Sequence, residues 1–299
     1  MKKMICAALS MMLLLSALPA LAGSTPALYK VEDQAGHRIY LLGAVHVGRE
    51  EMYPLGDAFE AAWQDAQALA VEMDTSTLQT DIQQMLKYAA ATMYTDGDAA
   101  KNHLSPESYA LGVEMLGQPE FILNRMRPFL WASLAEENLF GALGYTADYG
   151  VDGFLTKRAK EEEKPVIEME GLDQQLAIIQ SVPDEVSEMI LLSMLLQPEE
   201  NKKSMQGMLD AYTAGDAAGL ETWLENDMTE YPDELAESFE AYNDLLYHDR
   251  NDGFARQAKE YLQEGRIVLI CIGAAHILGE DGLVNQLQNA GYTVTEINH

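Results

Sequence analysis

The sequence predicts an α/β fold, in which a central, mixed and mostly parallel β-sheet carries a cap of helices. Apolar runs typical of strands cluster near the two ends of the chain and occur once in its middle. Two long stretches between them, about 77–147 and 173–246, have helical periodicity and are the expected cap over the functional edge of the sheet. Because no linker interrupts residues 23–299, we expect them to form a single domain with these two helical insertions.

The first 22 residues have the three parts of a secretory signal peptide. Met1-Lys2-Lys3 is basic, residues 5–18 are apolar, and Ala20-Leu21-Ala22 is a cleavage sequence of small residues. We therefore expect cleavage after Ala22 and an exported protein that is periplasmic or secreted. The apolar stretch is short for a helix that spans a bilayer, so no stable membrane insertion is expected after cleavage, with an uncleaved anchor as the alternative.

Charge and cysteine content narrow the class of function. The formal net charge is −29, or about −31 without Lys2 and Lys3, and such a surface repels nucleic acid and anionic membranes. Its simplest role is solubility, and the alternative is attraction of divalent cations or basic peptides. Removal of Cys6 leaves Cys271 alone in an apolar run, which excludes an intrachain disulfide and predicts a buried side chain. The composition does not fix the oligomeric state.

The amino-terminal third predicts a hairpin followed by a strand–helix–strand unit. β-like runs at 28–31 and 38–42 are separated by Asp33-Gln34-Ala35-Gly36, which is typical of a turn. Helical periodicity follows over 55–67, and Ala68-Leu69-Ala70-Val71-Glu72 is the next strand. A strand, a helix and a strand in this order indicate a parallel pair with a right-handed crossover.

The remaining strands are predicted near the middle and the end of the chain. A third parallel strand covers 164–170, between the two helical stretches. An amphipathic helix at 251–263 leads into a strand at 266–272. A helix at about 281–290 and a closing strand at 292–297 then complete the sheet. The carboxyl terminus is therefore part of the fold rather than a tail.

A Gly-x-x-His segment follows two of the predicted strands, as Gly43-Ala44-Val45-His46 and as Gly273-Ala274-Ala275-His276. A glycine at a strand end permits a tight turn or the close approach of another backbone. Each histidine then lies past the carboxyl end of its strand, where α/β sheets bind ligands. Taken alone, each is more simply interpreted as a satisfied histidine, but the repetition favours a shared metal site.

Four polar residues at predicted strand ends form the candidate site. They are His46, Glu72, Glu170 and His276, and a parallel sheet brings all four to one edge. Imidazole and carboxylate ligands suit Zn, Mn, Fe or Co. Sites of this kind leave coordination positions on the ion open for water. Water on such an ion can attack a carbonyl with a carboxylate as base. The simpler interpretation of the two acids is that they are solvated strand ends.

Two further segments carry polar residues that could serve this site. Arg250, at the start of the helix before the second histidine, could clamp a substrate carboxylate or steady a carboxylate ligand. Its neighbour Asn251, or Asp249, could instead cap the helix. Asp152 is most simply an acid in the first turn of a helix. The other histidines without informative surroundings are interpreted as surface residues: His37, His103 and His299.

Taken in order, the motifs resemble the TraB/PrgY/GumN family, which includes the Tiki Wnt-inactivating proteases. The resemblance covers about 28–297, and each motif is weak alone whereas the ordered set is fairly specific. The matching segments are Leu41–Gly48, Tyr53-Pro54-Leu55, Ala70–Asp74, Arg127–Trp131, Tyr149–Leu155, Lys164–Glu170 with Gln175 behind it, Arg250-Asn251 and Gly273–Gly279. Met169 is a departure, because the family more often has Leu before the glutamate.

The resemblance implies a fold similar to the erythromycin-esterase and ChaN-like α/β proteins. Members of the Tiki type are metal-dependent peptidases that act near substrate amino termini, with Mn or Co as supporting metals. Carried over to this sequence, the ligands of a divalent ion (Mn, Co or Zn) are His46, His276 and Glu72. The residues assigned to catalysis are Glu72, Glu170, Arg250 and Asn251.

The leading hypothesis is thus an exported metal-dependent hydrolase, and more narrowly a peptidase with a peptide or protein substrate. A metal-activated water would be its nucleophile. The second hypothesis is a non-catalytic protein that binds a peptide, or haem as ChaN-like proteins do. The third is a site that serves only the structure.

Overall fold

The computed structural model describes residues 23–227 and 235–297. The predicted signal peptide, residues 1–22, and His299 lie outside the described residues. In the two described ranges, no helix is long and apolar enough to cross a lipid bilayer.

The described residues form one mixed sheet of six strands. These are β1 (Leu28–Glu32), β2 (Arg38–Ala44), β3 (Ala68–Val71), β4 (Val166–Glu168), β5 (Val268–Gly273) and β6 (Thr293–Glu296). Their spatial order is β4-β3-β5-β2-β1-β6. The first four in this order are parallel, whereas β1 pairs antiparallel with both β2 and β6. The predicted mixed, mostly parallel sheet and its hairpin are therefore confirmed.

One pairing differs from the prediction. β2 and β3 run in the same direction but are not neighbours, because β5 lies between them: Ile270 is opposite Leu41 on one side and Ala70 on the other. The first five residues of β5 are all buried, as expected of a parallel strand covered on both faces. Cys271 is among them, which confirms its predicted burial. Local periodicity cannot report a partner strand about 200 positions further along the chain.

Helices cover the sheet and form the cap. In chain order they are α1 (Asp57–Asp65), α2 (Thr77–Thr80), α3 (Ile82–Thr92), α4 (Pro106–Met115), α5 (Glu120–Leu123), α6 (Pro128–Ala142), α7 (Val151–Glu161), α8 (Leu172–Ser181), α9 (Asp184–Leu196), α10 (Pro198–Ala214), α11 (Ala217–Asp227), α12 (Ala236–Asn243), α13 (Asp249–Gln263), α14 (Ala274–Ile277) and α15 (Leu283–Asn289). A π-helical turn, Asp244–His248, joins α12 to α13.

Residues at the helix ends explain several of these boundaries. Asp81 caps α3 by accepting hydrogen bonds from the N–H groups of its first turn. Ser105 caps α4, whose first residue, Pro106, needs no hydrogen-bond acceptor for its nitrogen. Gly215 ends α10 in the left-handed conformation that a glycine adopts without strain.

Two hydrophobic cores are present in the described residues. The larger surrounds the sheet and includes Trp63 and most of the strand side chains. The smaller lies inside the cap, where Trp131 packs with residues of α4, α5 and α9. Helix α6 joins the two, because its first half carries Trp131 and its last turn places Phe140 in the sheet core. The cap is thereby attached to the sheet by a continuous helix.

Candidate functional site

The carboxyl ends of the four parallel strands lie along one edge of the sheet. His46 follows β2, Glu72 follows β3, Glu170 follows β4 and His276 follows β5. The predicted placement of these four side chains at one edge is therefore confirmed.

Arg250, in the first turn of α13, lies between two of the carboxylates. Its Nε and Nη2 donate to Glu170 Oε1 and Oε2 at 2.7 and 2.9 Å, and Nη2 also donates to Glu72 Oε2 at 2.5 Å. Its Nη1 donates to the carbonyl of Leu246 at 3.1 Å. All three guanidinium nitrogens are thus engaged by the protein. Of the two interpretations of Arg250, the geometry favours the one in which it steadies a carboxylate.

A glutamine ties the same two carboxylates together from α8. Gln175 Nε2 donates to Glu170 Oε2 at 2.6 Å and to Glu72 Oε2 at 3.2 Å. The side chains of Glu170 and Arg250 are almost fully buried. Buried charges are stable only when they are paired, so these residues act as one group.

The second oxygen of Glu72 points to the second Gly-x-x-His segment. Glu72 Oε1 accepts a hydrogen bond from the Gly273 N–H at 2.7 Å and lies 3.9 Å from His276 Nε2. Burial alone would raise the pKa of Glu72, but the charges of His276, His46 and Arg250 outweigh burial and lower the pKa to about 2. Glu72 is therefore a carboxylate at neutral pH.

His276 is buried, with about 5% of its side chain exposed. Its Nδ1 is 2.6 Å from Asn251 Oδ1, and Asn251 Nδ2 donates to the Asp281 carbonyl at 3.0 Å. Because that carbonyl can only accept, the Asn251 oxygen faces the imidazole, and Nδ1 carries the proton. Burial, which disfavours the charged form, lowers the pKa of His276 to about 4. Its ring packs edge-on against Phe254.

His46 is exposed, with 63% of its side chain accessible. Its Nδ1 lies 3.2 Å from Asp152 Oδ2, a partner 106 positions away in α7. Partial desolvation opposes the charged imidazole, but the hydrogen bond and negative charge of Asp152, with the charge of Glu72, raise the pKa of His46 above its ordinary value. The two histidines therefore differ in burial, in hydrogen-bond partner and in the direction of their pKa shift.

The backbone around His46 is held against the start of α7. Val151 N donates to the Val45 carbonyl at 2.9 Å, and Gly48 exchanges two hydrogen bonds of 2.8 Å with Thr146. The chains approach so closely that a Cβ at Gly48 would lie 2.0 Å from the Tyr149 carbonyl oxygen. The glycine after the first histidine thus permits the contact that brings Asp152 to the imidazole.

Gly273 lies at the centre of the site. A Cβ on this glycine would lie 3.2 Å from Glu72 Oε1, 3.4 Å from His276 Cδ2 and 3.7 Å from His46 Nε2. Its backbone has a negative φ of −47°, so a side chain there would be crowded by these neighbours but is not disfavoured by the conformation. These distances place one carboxylate and both imidazoles around a single point.

The donor set fits a divalent transition metal. Each Nδ1 faces a side-chain oxygen, Asp152 for His46 and Asn251 for His276, which is the usual arrangement of metal-binding histidines, and an ion on His46 would displace the Nε2 proton that its raised pKa retains at neutral pH. Ligand atoms about 2.1 Å from one ion lie about 3–4 Å apart, and His276 Nε2 is 3.9 Å from Glu72 Oε1. Within the two described ranges, however, no three His, Cys, Asp or Glu side chains form a group that could already hold an ion. The site therefore has side chains of suitable ligand type, but among the described residues no three of them are already arranged to hold an ion.

Comparison with known proteins identifies the family. The family model described as "TraB/PrgY/gumN family" matches residues 27–296, nearly all of the described chain. The chain belongs to this family. Two curated relatives, each named "Uncharacterized protein YbaP", come from Escherichia coli (strain K12) and Shigella flexneri. Each is 29% identical over 251 residues, which cover 83% of this chain and 87% of the relative. No solved structure matches the chain.

In this member of the TraB/PrgY/gumN family, all the predicted site residues lie together. His46, Glu72 and His276 surround Gly273, while Glu170 and Arg250 support Glu72. Asn251 does not cap α13, as one interpretation had it, because its side chain binds His276 instead. Asp249, the first residue of α13, follows directly from the π-helical turn, so the helix has no free end there to cap.

Sequence reasoning missed the supporting roles of two residues. Asp152 is in the first turn of α7, as predicted, but it also holds His46, and Gln175 bridges two glutamates. The pairing of Asp152 with two glycines was the available signal for the close approach. His103 is partly exposed, as expected of a surface residue, but it also lies between Asp98 and Asp184, at 2.8 and 2.7 Å.

Proposed function

We propose that this protein is an exported, metal-dependent hydrolase, and more narrowly a peptidase that acts on peptides or on the amino termini of proteins. The observation that carries the proposal is the meeting of Glu72, His46 and His276 around Gly273, with the Nδ1 of each imidazole held by a side-chain oxygen. Hydrolases with such mixed ligand sets use open positions on the ion for water and substrate. The family resemblance to Tiki-type peptidases supports the narrower form of the proposal.

Glu72, His46 and His276 are the residues that would hold the ion. A divalent ion bound by them would lower the pKa of a water molecule and polarise a substrate carbonyl. Glu72 suits the role of ligand, because its Oε1 faces the site beside His276 Nε2. Its second oxygen is fixed by Arg250, so the carboxylate keeps its direction toward the site.

The remaining site residues position the ligands. Arg250 and Glu170 form a bidentate pair that holds Glu72 from behind. Asn251 and Asp152 each bind the Nδ1 of one histidine and orient its Nε2. In this assignment none of the four touches substrate, and loss of any one of them would act through the metal ligands.

The direct test is elemental analysis of the purified protein, followed by cleavage of a peptide library with added Mn, Co or Zn. We expect about one transition metal per chain and turnover of a subset of peptides. A His46→Ala, His276→Ala double variant should lose both. Binding of peptides without turnover would instead support the non-catalytic alternative, and a metal-free wild-type protein would overturn the hydrolase proposal.

A glycine pair gives a sharper control. Gly273→Ala would place a methyl group among the three ligands, and we expect a loss of metal affinity on the order of tenfold or more. Gly141→Ala, in α6, meets nothing within 4 Å and should leave metal binding unchanged. Export is tested separately, since amino-terminal sequencing of the mature protein should begin at Gly23.

A further inference from the structure

Three residues in and just before the first turns of α13 contact the imidazole of His276. Asn251 Oδ1 meets its Nδ1 at 2.6 Å, the Phe254 ring packs edge-on at a centroid distance of 5.1 Å, and the Tyr247 ring lies at 5.7 Å, tilted by 51°. Positions 247, 251 and 254 are four and three apart, a spacing that places side chains on one face of a helix. Of this set, the proposed function uses only Asn251.

Tyr247 belongs to the π-helical turn, Asp244–His248, that precedes α13. Such turns are rare, and they occur frequently at functional sites. In the two described ranges of the chain, no other helix contains one. The turn also binds the other part of the site, because the Leu246 carbonyl accepts a hydrogen bond from Arg250 Nη1 at 3.1 Å. This turn therefore contacts both the buried ion pair and the buried histidine.

The hydrogen bond to Asn251 does not by itself fix the plane of the imidazole. It holds Nδ1 at one point, and the ring can still tilt about that point. A metal ion needs the Nε2 lone pair, which lies in the ring plane, to point at the ion. Aromatic rings at these centroid distances prefer particular orientations, so Phe254 and Tyr247 limit the tilt of His276.

The two aromatic residues differ in burial. Phe254 is 1% exposed and belongs to the core around the sheet, whereas Tyr247 is half-buried. Truncation of Phe254 would disturb the core and the site together. Truncation of Tyr247 removes less of the core, so its effect on His276 can be measured in a folded protein.

We propose that Tyr247 is a positioning residue of the candidate site, whose ring fixes the plane of the His276 imidazole and directs Nε2 toward Glu72. This inference rests on the proposed function, because the plane of the imidazole matters most for a metal ligand. The contact joins two rings, so the aromatic ring of Tyr247, and not its hydroxyl, is the part that acts. Phenylalanine should therefore replace Tyr247, whereas alanine should not.

The test compares Tyr247→Ala and Tyr247→Phe with the wild-type protein. The matched control is Tyr109→Ala, which truncates another half-buried tyrosine, in α4, where it packs against Trp131 of the cap. The probe is Co²⁺ alone. Calorimetry measures its affinity, and the d–d absorption band of the bound ion reports the geometry of its ligands. Urea denaturation of the metal-free proteins measures what each truncation costs in stability.

We expect Tyr247→Ala to lower the affinity for Co²⁺ by about tenfold and to shift the d–d band, as loss of a residue that orients a ligand does. Tyr247→Phe and Tyr109→Ala should keep the wild-type affinity and spectrum. If Tyr247→Phe binds Co²⁺ as weakly as Tyr247→Ala, the hydroxyl acts instead of the ring, and the proposal is overturned. An equal loss of affinity in Tyr109→Ala also overturns it, since a general loss of stability would then explain both results.

A second measurement needs no metal and separates this inference from the proposed function. NMR of the metal-free protein should show the Nδ1 proton of His276 as a sharp resonance in the wild type and in Tyr247→Phe, and as a broadened or lost one in Tyr247→Ala. If the wild type binds no Co²⁺, the proposed function fails, while this resonance still shows whether Tyr247 fixes the ring. If Co²⁺ binds wild type and Tyr247→Ala alike and the resonance is unchanged, the proposed function stands and this inference fails.

Discussion

The two Gly-x-x-His segments share a sequence pattern but have different surroundings. His46 is exposed and meets a carboxylate, Asp152, whereas His276 is buried and meets a neutral amide, Asn251. The first segment continues into irregular backbone, and the second forms the one-turn helix α14. The repeat therefore provides two imidazoles at one site without making them equivalent.

The glycines of the two segments also have different functions. A Cβ at Gly43 would lie 2.9 Å from the Cα of Ala274, so this glycine lets the second segment pack against the first. A Cβ at Gly273 would instead point among the ligand side chains. One glycine serves packing and the other keeps space in the site, which teaches that a repeated motif can be maintained by two unrelated constraints.

The largest effect is expected from removal of Arg250, the cation that pairs with both Glu72 and Glu170. Arg250→Ala leaves Glu72 and Glu170 buried without their cation, and we expect the free energy of unfolding to fall by about 3–5 kcal/mol. Arg256→Ala, at an exposed position of the same helix, should change it by less than about 0.5 kcal/mol. Urea denaturation measures both, and equal values would show that the buried ion pair is not the shared support.

The next effect separates the two histidines. His276→Ala removes the partner of Asn251 Oδ1 and opens a cavity beside Phe254, so we expect a loss of about 2–3 kcal/mol in the free energy of unfolding. His46→Ala, at an exposed side chain, should cost less than about 0.5 kcal/mol. In both variants the metal content per chain should fall to the same extent. Similar losses in the free energy of unfolding for the two variants, measured in metal-free protein, would contradict the contrast between the buried and the exposed histidine.

The smallest effect is a difference between the pKa values of His46 and His276 in the metal-free protein. NMR should find the pKa of His46 above the ordinary 6.5 and that of His276 lowered toward about 4. His46, with its raised pKa, makes a small, solvent-screened contribution to stability that is fully present below pH 6.5 and is lost as the pH rises through the raised pKa. His276, held neutral, lowers stability as the pH falls from 6.5 toward 4.

Asp152→Asn is the control for that measurement. Removal of the negative charge should lower the pKa of His46 toward 6.5 and leave the pKa of His276 almost unchanged. The accompanying change in stability should be small, because solvent screens the exposed imidazole. A titration of His46 that does not respond to the substitution would show that Asp152 does not set its charge.

Much of the fold could be predicted because its signals are local. The hairpin of β1 and β2, the four parallel strands and the closing strand β6 were all indicated by apolar runs and turn residues. The positions of Glu72 and the two histidines followed from the same signals, because Glu72 directly follows a strand and each histidine lies just past the end of one. The interposition of β5 between β2 and β3 did not, since strand order depends on packing between distant segments.

By itself, the sequence determined which elements form and which polar residues stand at the ends of the parallel strands, because periodicity and turn chemistry act over a few residues. The tertiary structure decided what each of those residues meets. Asp152 reaches His46 across 106 positions, and Arg250 reaches Glu72 across 178. Burial, hydrogen-bond partner and pKa are set by such distant contacts, so two nearly identical motifs become one exposed and one buried histidine.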